Sequence, residues 1–458
     1  MNNTTRRAYV LYAFILAFLI GLGFMFFSFY INGDEWASKT VNRHVYSSGQ
    51  IANAGSVVDR NGMLLAYSKD GTRKYNDSLS IRKATLHAVG DTSSFIATGV
   101  QSIYSSQLSG YDFVNGVYDL KKYGKGNDIT LTLDANVCKK AYEALGSRKG
   151  TVGVYNYRTG EIICMVSTPT YDPADKPSDM AENPKYEGVY LNRFISGVYT
   201  PGSTFKCITA ICAMQNISDL ESRTFECTGK YHTSTGDVIC NSVHGPVSFE
   251  KAFNRSCNSA FAQLAIELGE DKLMKTAAEL GFNVKDNMGE TPVAMSSFDV
   301  EGTASVDLGW AGIGQYTTLV NPCHMLTIMG AIANDGVAVK PYYVSKITSP
   351  SGYENIIGQT VQSETIILDS TVAQRMKRFM RSNVVNYYDD STFPGLQMCG
   401  KTGTAQIDDG ESHSWFVGFS SNPQTPYAVV CVAENSGSGL ATAGKISNTV
   451  MQAVCKSK

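Results

Sequence analysis

The sequence predicts a mixed α/β protein made of an N-terminal transmembrane helix, a small, mainly β module and a large domain of helices and strands. Three observations support this prediction: a long uncharged apolar run near the N-terminus, a strand-turn-strand pattern after it, and regular helix-like and strand-like segments from about residue 128 onward. The predicted units are a cytoplasmic tail (residues 1–7), a transmembrane helix (8–31), a small N-terminal module (32–127) and a large C-terminal domain (128–458).

The composition is that of an ordinary folded protein. The chain has 458 residues, of which 43% are hydrophobic, with 42 Gly and 13 Pro. These values argue against intrinsic disorder, collagen-like repeats and coiled coil. The 39 Lys and Arg against 41 Asp and Glu give a formal net charge of -2. A nucleic-acid partner is not expected, because binding a phosphate backbone requires a clear excess of cations on some face.

The uncharged run from residue 8 to residue 31 predicts a membrane anchor. Its 24 residues would form about 36 Å of helix, enough to span a hydrocarbon core of about 30 Å. Arg6 and Arg7 precede the run, and Asp34 and Glu35 follow it. The positive-inside rule therefore places the N-terminus in the cytoplasm and the remainder of the chain outside. A cleaved signal peptide is the alternative, but its apolar region would be shorter and would end in small residues.

The two folded units follow from local patterns. In GSVVDRNGMLLA (residues 55–66) the Asn61-Gly62 pair predicts a hairpin turn between two strands. The segment ITLTLDANVCKKAYEAL (129–145) begins with strand-like alternation and continues as a helix, and TVGVYNYRTGEIICMVS (151–167) predicts a second hairpin. A small module and a larger domain are therefore expected to meet near residue 128.

Ser203 and Lys206, in TPGSTFK, form the first candidate catalytic pair. Positions three apart share one face of a helix, so the lysine amine can lie within hydrogen-bond distance of the serine hydroxyl. A lysine in an enclosed site can lose its proton near neutral pH and act as the base for a serine nucleophile, while the helix N-terminus favours developing negative charge. The alternative is that Ser203 is a simple helix N-cap. Two other Ser-x-x-Lys pairs are interpreted as solvated surface pairs: Ser80/Lys83 and Ser248/Lys251.

Two further motifs favour a catalytic site. Ser256-Cys257-Asn258 offers a hydroxyl that can relay a proton and an amide that can hold a substrate amide. Lys401-Thr402-Gly403-Thr404 offers a cation and hydroxyls for a carboxylate, with a glycine that lets a ligand approach the backbone closely. Lys401 taken alone could be an ordinary strand lysine, but three such motifs in this order are improbable by chance.

This set of motifs resembles the penicillin-binding proteins and the serine β-lactamases. GEIICMVSTPTYDP, NRFISGVYTPGSTFK and HSWFVGF are similar to successive stretches of the transpeptidase domain of class B penicillin-binding proteins, and SVVDRNGMLLA is similar to their opening hairpin. An anchor followed by a short module also fits class B, although Ala54 stands where that family usually has Arg. The resemblance implies a β-lactamase-like fold in which helices flank a mainly antiparallel sheet.

The resemblance implies acyl transfer on peptidoglycan stem peptides that end in D-Ala-D-Ala. Ser203, deprotonated by Lys206, would attack the penultimate D-Ala carbonyl and expel the terminal D-Ala. The amine of a neighbouring stem peptide would then attack the acyl-enzyme and form the cross-link of the bacterial cell wall. β-Lactam antibiotics, which mimic D-Ala-D-Ala, would acylate the same serine and leave slowly. No organic cofactor is expected.

The resemblance also implies a role for each remaining site residue and suggests a partner. The expected roles are proton transfer to the leaving amine (Ser256, Lys401), holding of the substrate amide (Asn258), binding of the terminal carboxylate (Thr402, Thr404, beside Gly403) and an oxyanion hole made by the backbone N–H groups of Ser203 and Thr404. The suggested partner is a glycosyltransferase of the SEDS type in the membrane, contacted through the anchor and the small module.

Three alternatives use the same motifs differently. A D,D-carboxypeptidase or β-lactamase would let water accept the acyl group, but no sequence feature places a carboxylate to activate that water. A β-lactam sensor would need a signalling part, and only seven residues precede the anchor. A non-catalytic β-lactam-binding scaffold is disfavoured because all three motifs are intact.

A second cluster predicts a metal site. The chain has an odd number of cysteines, 11, so they cannot all pair with one another. In CTGKYHTSTGDVICNSVHG, Cys227, Cys240, His244 and Asp237 could complete a tetrahedral Zn²⁺ site, with His232 as the competing fourth ligand. The alternatives are a disulfide between the two cysteines, or free thiols beside a structural histidine.

Overall fold

The structure is a computed structural model that describes residues 3–37, 46–47, 50–51, 53–110, 124–357, 363–406 and 410–457. The strands within these ranges are β1 (Tyr46–Ser47), β2 (Gln50–Ile51), β3 (Val57–Val58), β4 (Leu64–Lys69), β5 (Thr72–Tyr75), β6 (Asp128–Leu131), β7 (Gly150–Asn156), β8 (Ile162–Thr168), β9 (Thr224–Cys227), β10 (Lys230–His232), β11 (Asp237–Ile239), β12 (Gly245–Ser248), β13 (Asp286–Met288), β14 (Thr291–Val293), β15 (Val337–Val339), β16 (Val344–Thr348), β17 (Glu354–Asn355), β18 (Glu364–Ile366), β19 (Met398–Ala405), β20 (His413–Ser420) and β21 (Tyr427–Ala433). The α-helices are α1 (Asn3–Ala37), α2 (Leu79–Val89), α3 (Val100–Ile103), α4 (Ser105–Leu108), α5 (Ala135–Leu145), α6 (Lys206–Asn216), α7 (Phe249–Asn254), α8 (Asn258–Glu279), α9 (Ser305–Gly312), α10 (Pro322–Ala333), α11 (Ser370–Asn383) and α12 (Lys445–Lys456).

The predicted anchor is part of one long helix. Helix α1 has 35 residues, and its segment Thr4–Gly33 is long and apolar enough to cross a membrane. Its large side chains are exposed, for example Phe14 at 71% and Phe24 at 72%. A helix with apolar side chains on all sides and no protein cover suits a lipid environment. The helix therefore fits a single-pass anchor, and it extends past the predicted bounds because the polar flanking residues are also helical.

The small module begins with the predicted hairpin. Strands β3 and β4 are antiparallel, and the carboxylate of Asp59 accepts hydrogen bonds from the backbone N–H groups of Asn61 and Met63, each at 2.8 Å. Gly62 has a φ of 80°, the left-handed conformation that this turn requires. Helices α2, α3 and α4 follow, so the described part of the module is a mixture of helix and strand rather than mainly β as predicted.

The module and the large domain share a sheet. Its strand order is β17-β16-β6-β3-β4-β5, with β6 parallel to β3 and antiparallel to β16. The facing side chains of Val57 and Ile129 are fully buried. The predicted boundary at residue 128 therefore falls at the first residue of a strand that ties the two units together through backbone hydrogen bonds.

The large domain is organised around a five-stranded antiparallel sheet of order β19-β20-β21-β7-β8. Every residue of β21 is buried, which requires cover on both faces of the sheet. Helix α10 packs against β20 and β21, and α5 and α12 pack against each other and against β7. The predicted architecture of an antiparallel sheet flanked by helices is confirmed.

A group of helices stands beside the edge strand β19. Helix α6 is almost entirely buried and packs against α8, while α11 packs against β19. The turn that precedes α6, at Gly202–Thr204, contacts β19 directly. The three predicted motifs therefore meet at one place, between the edge of the sheet and the helical group.

Candidate active site

Ser203 lies in a single helical turn that leads into the buried helix α6. Lys206 begins that helix, and its Nζ lies 3.1 Å from Ser203 Oγ, the contact that the spacing predicts. Gly202 has a φ of 53°, and a Cβ there would come within 2.9 Å of the carbonyl oxygen of Thr404. Glycine therefore allows the nucleophile turn to approach the edge strand closely.

The environment of Lys206 favours its neutral amine. Burial first, and then the positive charge of Lys401, hold the pKa of Lys206 well below its usual range. Its Nζ lies 2.7 Å from two carbonyl oxygens, the backbone oxygen of Ser256 and Oδ1 of Asn258. A neutral amine has two N–H donors, which these carbonyls use, and one lone pair, which remains for a hydroxyl proton. The lysine is therefore arranged to accept the proton of Ser203.

Ser256 links the two lysines. Its Oγ lies 3.1 Å from Lys206 Nζ and 3.0 Å from Lys401 Nζ, and both lysine side chains are fully buried. Ser256 has a φ of 53°, a left-handed conformation that costs about 1 kcal/mol or more in a residue with a Cβ. The bond from Cys257 N to Ala252 O, at 2.8 Å, holds the chain in this turn. A proton can therefore pass between the lysines through one hydroxyl.

Strand β19 brings the third motif to the nucleophile. A Cβ at Gly403 would stand 2.6 Å from the carbonyl oxygen of Pro201, so a larger residue would push the strand away from the turn that carries Ser203. Thr404 is exposed, and Thr402 and Thr404 both line the cleft. The close approach at Gly403 thus places the two threonine hydroxyls beside Ser203, an arrangement suited to binding a carboxylate.

Tyr388, which no sequence pattern indicates, supports Thr402. The phenol oxygen of Tyr388 lies 2.8 Å from Thr402 Oγ1 and accepts a hydrogen bond from Thr402 N at 3.0 Å. The tyrosine follows α11 in a widened helical turn, Val384–Tyr388, 14 residues before the threonine. No local pattern links the two positions, because only the packing of α11 on β19 brings them together.

The site opens into a cleft of about 490 Å³, a size that suits a peptide end. Trp310, Ile313 and Leu440 supply apolar walls, and Gln315 and Asn241 add amide groups. These five residues come from three separate parts of the chain, around residues 241, 310–315 and 440, which only the fold brings together. Of the predicted catalytic residues, Ser203 and Ser256 line the cleft directly, while Lys206 and Lys401 lie beneath them.

The structure brings together a group of possible metal ligands that differs from the predicted group in one member. Donor atoms of Cys227, Cys240, His244 and Cys257 all lie within 4.8 Å of one another. The His244 Nδ1 is 3.5 Å from the Sγ atoms of both Cys227 and Cys240, and Cys240 Sγ is 3.8 Å from Cys257 Sγ. All three cysteines are buried, and each has a free thiol.

The prediction of Asp237 as a ligand is wrong, because its carboxylate lies in an ion pair of the β10–β11 hairpin. It contacts Lys230 at 2.9 Å and His232 at 2.6 Å, so neither Asp237 nor the competing His232 joins the group found in the described chain. Cys257 takes the fourth position. Cys257 is 17 residues from Cys240 in sequence, and only the three-dimensional fold brings the two together.

Hydrogen bonds in the cluster favour a thiolate at Cys240. Cys240 Sγ shares a hydrogen bond with Cys257 Sγ at 3.8 Å, and Asn258 N donates to Cys240 Sγ at 3.2 Å. These bonds lower the pKa of Cys240 and raise that of Cys257. Because Cys257 lies between Ser256 and Asn258, the cluster supports the loop that carries two of the active-site groups.

The site is suited to acyl transfer through a serine ester. Its nucleophile is paired with a neutral lysine, and among the described side chains neither a histidine nor a carboxylate hydrogen-bonds to Ser203 or Lys206. The family model described as the penicillin binding protein transpeptidase domain matches residues 150–456. The chain belongs to this family, and its anchor and short module define it as a class B penicillin-binding protein.

Curated proteins and solved structures agree with this assignment. Peptidoglycan D,D-transpeptidase PbpA of Mycolicibacterium smegmatis is 28% identical over 417 residues, which is 84% of this chain and 84% of that protein. The ceftriaxone acyl-enzyme complex of penicillin-binding protein A from M. tuberculosis superposes with a TM-score of 0.78 and 26% identity, covering 88% of this chain and 98% of that chain. The D,D-transpeptidase domain of a peptidoglycan glycosyltransferase from Eggerthella lenta has the same TM-score and identity, covering 89% and 99%.

Proposed function

We propose that the protein is a membrane-anchored serine D,D-transpeptidase that cross-links peptidoglycan stem peptides ending in D-Ala-D-Ala. The observation that carries the proposal is the contact of Ser203 with a buried lysine whose two N–H donors are already used by carbonyl oxygens. Family membership and the transpeptidase names of the relatives support it. The chemistry uses side chains alone and needs no organic cofactor.

In the first half-reaction, Lys206 takes the proton of Ser203 while the Ser203 oxygen attacks the penultimate D-Ala carbonyl. The bond from the carbonyl carbon to the leaving nitrogen then breaks, and that nitrogen takes a proton from the chain of Lys206, Ser256 and Lys401. Thr402 and Thr404 hold the terminal carboxylate, and Asn258 holds the substrate amide. The backbone N–H groups of Ser203 and Thr404 stabilise the oxyanion. A β-lactam acylates Ser203 by the same route.

The second half-reaction distinguishes a transpeptidase from its alternatives. In a transpeptidase, the acyl group passes from Ser203 to the amine of a second stem peptide. We therefore expect the purified protein, mixed with a stem pentapeptide, to produce a cross-linked dimer and free D-Ala, measured by mass spectrometry of the peptides. A product consisting only of the tetrapeptide would mean that water is the acceptor and that the protein is a D,D-carboxypeptidase. Recovery of unchanged pentapeptide would favour the non-catalytic scaffold.

We propose that the active domain is extracytoplasmic, with the N-terminus in the cytoplasm, because Arg6 and Arg7 precede the apolar part of α1. The proposed partner is a SEDS-type glycosyltransferase that supplies glycan strands in the same membrane. The exposed apolar face of α1 supports a contact within the bilayer. Co-purification of this partner with the whole chain, but not with a chain that carries an unrelated anchor, tests the contact.

We infer that Cys227, Cys240, His244 and Cys257 bind Zn²⁺. Tetrahedral zinc with bonds of about 2.3 Å to sulfur and 2.0 Å to nitrogen would place two sulfurs about 3.8 Å apart and a sulfur about 3.5 Å from the nitrogen. The observed separations are 3.8 Å and 3.5 Å. Ser242 Oγ lies 3.0 Å from His244 Nε2, and such a second contact orients a ligating imidazole.

Metal analysis tests this site. We expect about one zinc per purified chain and a large loss of zinc in Cys240→Ser, since removal of one thiolate ligand leaves three. Cys455→Ser, at a cysteine outside the cluster, is the matched control and should keep its zinc. Chelation should lower the thermal midpoint of the unmutated protein, because zinc binding contributes to folding. Absence of bound metal in the unmutated protein would overturn the proposal in favour of free thiols or a disulfide.

A further inference from the structure

The described lining of the active-site cleft contains one positive charge that takes part in no ion pair. Among the described residues that line it, Arg255 is the only charged side chain, because Lys206 and Lys401 are buried beneath the surface. Arg255 is exposed, and no carboxylate of the described chain forms an ion pair with it. An unpaired guanidinium in a peptide-sized cleft is suited to a substrate carboxylate, which it can bind with two parallel hydrogen bonds.

The backbone fixes where this cation enters the cleft. Arg255 directly precedes Ser256, and its N–H donates to Lys251 O at 2.9 Å at the end of α7. The neighbouring Asn254 donates from Nδ2 to Ser382 Oγ at 3.1 Å, which attaches the loop to α11. The Oδ1 of Asn254 is buried and has no hydrogen-bond partner in the described structure, so the loop also retains an unused acceptor. The chain thus brings Arg255 to the lining of the cleft directly beside Ser256, which in the proposed mechanism handles the proton of the leaving amine.

The incoming amine must use this same side. Attack on the acyl-enzyme is the reverse of acylation, so the acceptor nitrogen enters where the nitrogen of D-Ala left. In D-Ala, the carbon next to that nitrogen carries a carboxylate. An acceptor with the same arrangement would present its carboxylate to the same part of the cleft, beside Thr402 and within the region that Arg255 lines.

We propose that Arg255 binds the carboxylate of the acceptor stem peptide, and that the preferred acceptor amine is borne by a carbon that also carries a carboxylate. Such an amine is the end of a diamino dicarboxylic acid, in contrast to the terminal amine of a lysine, which has no neighbouring carboxylate. This inference rests on the proposed transpeptidase function. In the step itself the C–N bond forms, the C–O bond to Ser203 breaks, and one proton of the amine returns to Ser203 through Lys206.

Two small acceptor molecules test the effect of the acceptor carboxylate alone. The full-length protein in detergent is given a D-alanyl thioester as acyl donor, together with either D-alanine or D-alaninamide. These acceptors differ only in the carboxylate. Mass spectrometry gives the ratio of aminolysis to hydrolysis for each. We expect the unmutated protein to prefer D-alanine by about tenfold or more, the range for a hydrogen bond between charged groups.

Substitutions assign that preference to Arg255. Arg255→Gln should reduce the preference for D-alanine about tenfold, and Arg255→Lys should restore part of it because the charge returns. The ratio of aminolysis to hydrolysis with D-alaninamide should not change in either variant, because this acceptor has no carboxylate for the guanidinium to bind. Arg158→Gln, in the β7–β8 hairpin outside the cleft, is the matched control and should keep the full preference.

Two results would overturn the inference, and a third concerns the proposed function. Equal use of both acceptors by the unmutated protein would show that the guanidinium does not bind the acceptor carboxylate. An undiminished preference for D-alanine in Arg255→Gln would show the same. Failure of the unmutated protein to react with either the thioester or penicillin would instead contradict the transpeptidase proposal itself, together with the inference that rests on it.

Discussion

Replacing Lys206 with methionine is expected to slow acylation of Ser203 by penicillin about 10²- to 10⁴-fold, the usual contribution of a positioned general base. Methionine keeps most of the buried volume of the lysine stem but removes the amine that contacts Ser203 at 3.1 Å. The measurement is the rate of formation of the penicillin adduct, followed by intact mass. Circular dichroism verifies that the variant is folded.

The chain supplies a matched control for this substitution. Ser248 and Lys251 repeat the Ser-x-x-Lys spacing, but there the serine Oγ caps α7 by accepting from the backbone N of Lys251 at 3.3 Å, and Lys251 is exposed. In the Lys251→Met variant, penicillin should acylate Ser203 at the normal rate. If Lys206→Met reacted as fast as the control, the base would have to be another group and the proposed mechanism would be wrong.

The same rates measured against pH test the state of Lys206. Burial first, and then the charge of Lys401, lower the pKa of Lys206, while Cys257 and Cys240 act in the opposite direction. Since the neutral amine is the base, acylation should increase as pH rises through this lowered pKa. The increase should therefore occur well below the pH of about 10.4 at which an ordinary lysine loses its proton.

Local spacing was sufficient to predict the catalytic contacts that lie within one helix turn or one motif. The pair of Ser203 and Lys206 is an example, because i,i+3 geometry depends only on the helix. The hairpin at Asn61-Gly62 is another, because its turn requires a left-handed residue at a defined position. The anchor was predictable from length and composition, since the bilayer imposes both.

Contacts between distant segments were not predictable in this way. Tyr388 reaches Thr402 only because α11 packs on β19, and β6 joins β3 in a parallel pair that no local pattern indicates. The cluster of cysteines and His244 was also predicted only in part, for the same reason. Asp237 is close to Cys240 in sequence, yet a neighbouring lysine pairs with its carboxylate, whereas Cys257, 17 residues from Cys240, completes the group.

The departure from the family pattern at Ala54 has a structural counterpart. Arg73 is buried, and its Nη1 donates to the carbonyl oxygens of Ala54 at 3.2 Å and of Gly55 at 2.7 Å. Its Nε donates to Gln101 at 2.7 Å. An arginine from strand β5 therefore occupies the space beside the position where the family usually has one, and the hairpin opening is held by a residue 19 positions away.

The most direct test of the central claim, a covalent ester on Ser203, is the intact mass of the full-length protein after mixing with penicillin. We expect a stoichiometric adduct that persists for many minutes and is absent from Ser203→Ala. Ser80→Ala, which alters the Ser-x-x-Lys pair in helix α2, is the matched control and should form the adduct normally. An adduct released within seconds would identify a β-lactamase instead. A folded, unmutated protein that forms no adduct, or an adduct that survives in Ser203→Ala, would contradict the account.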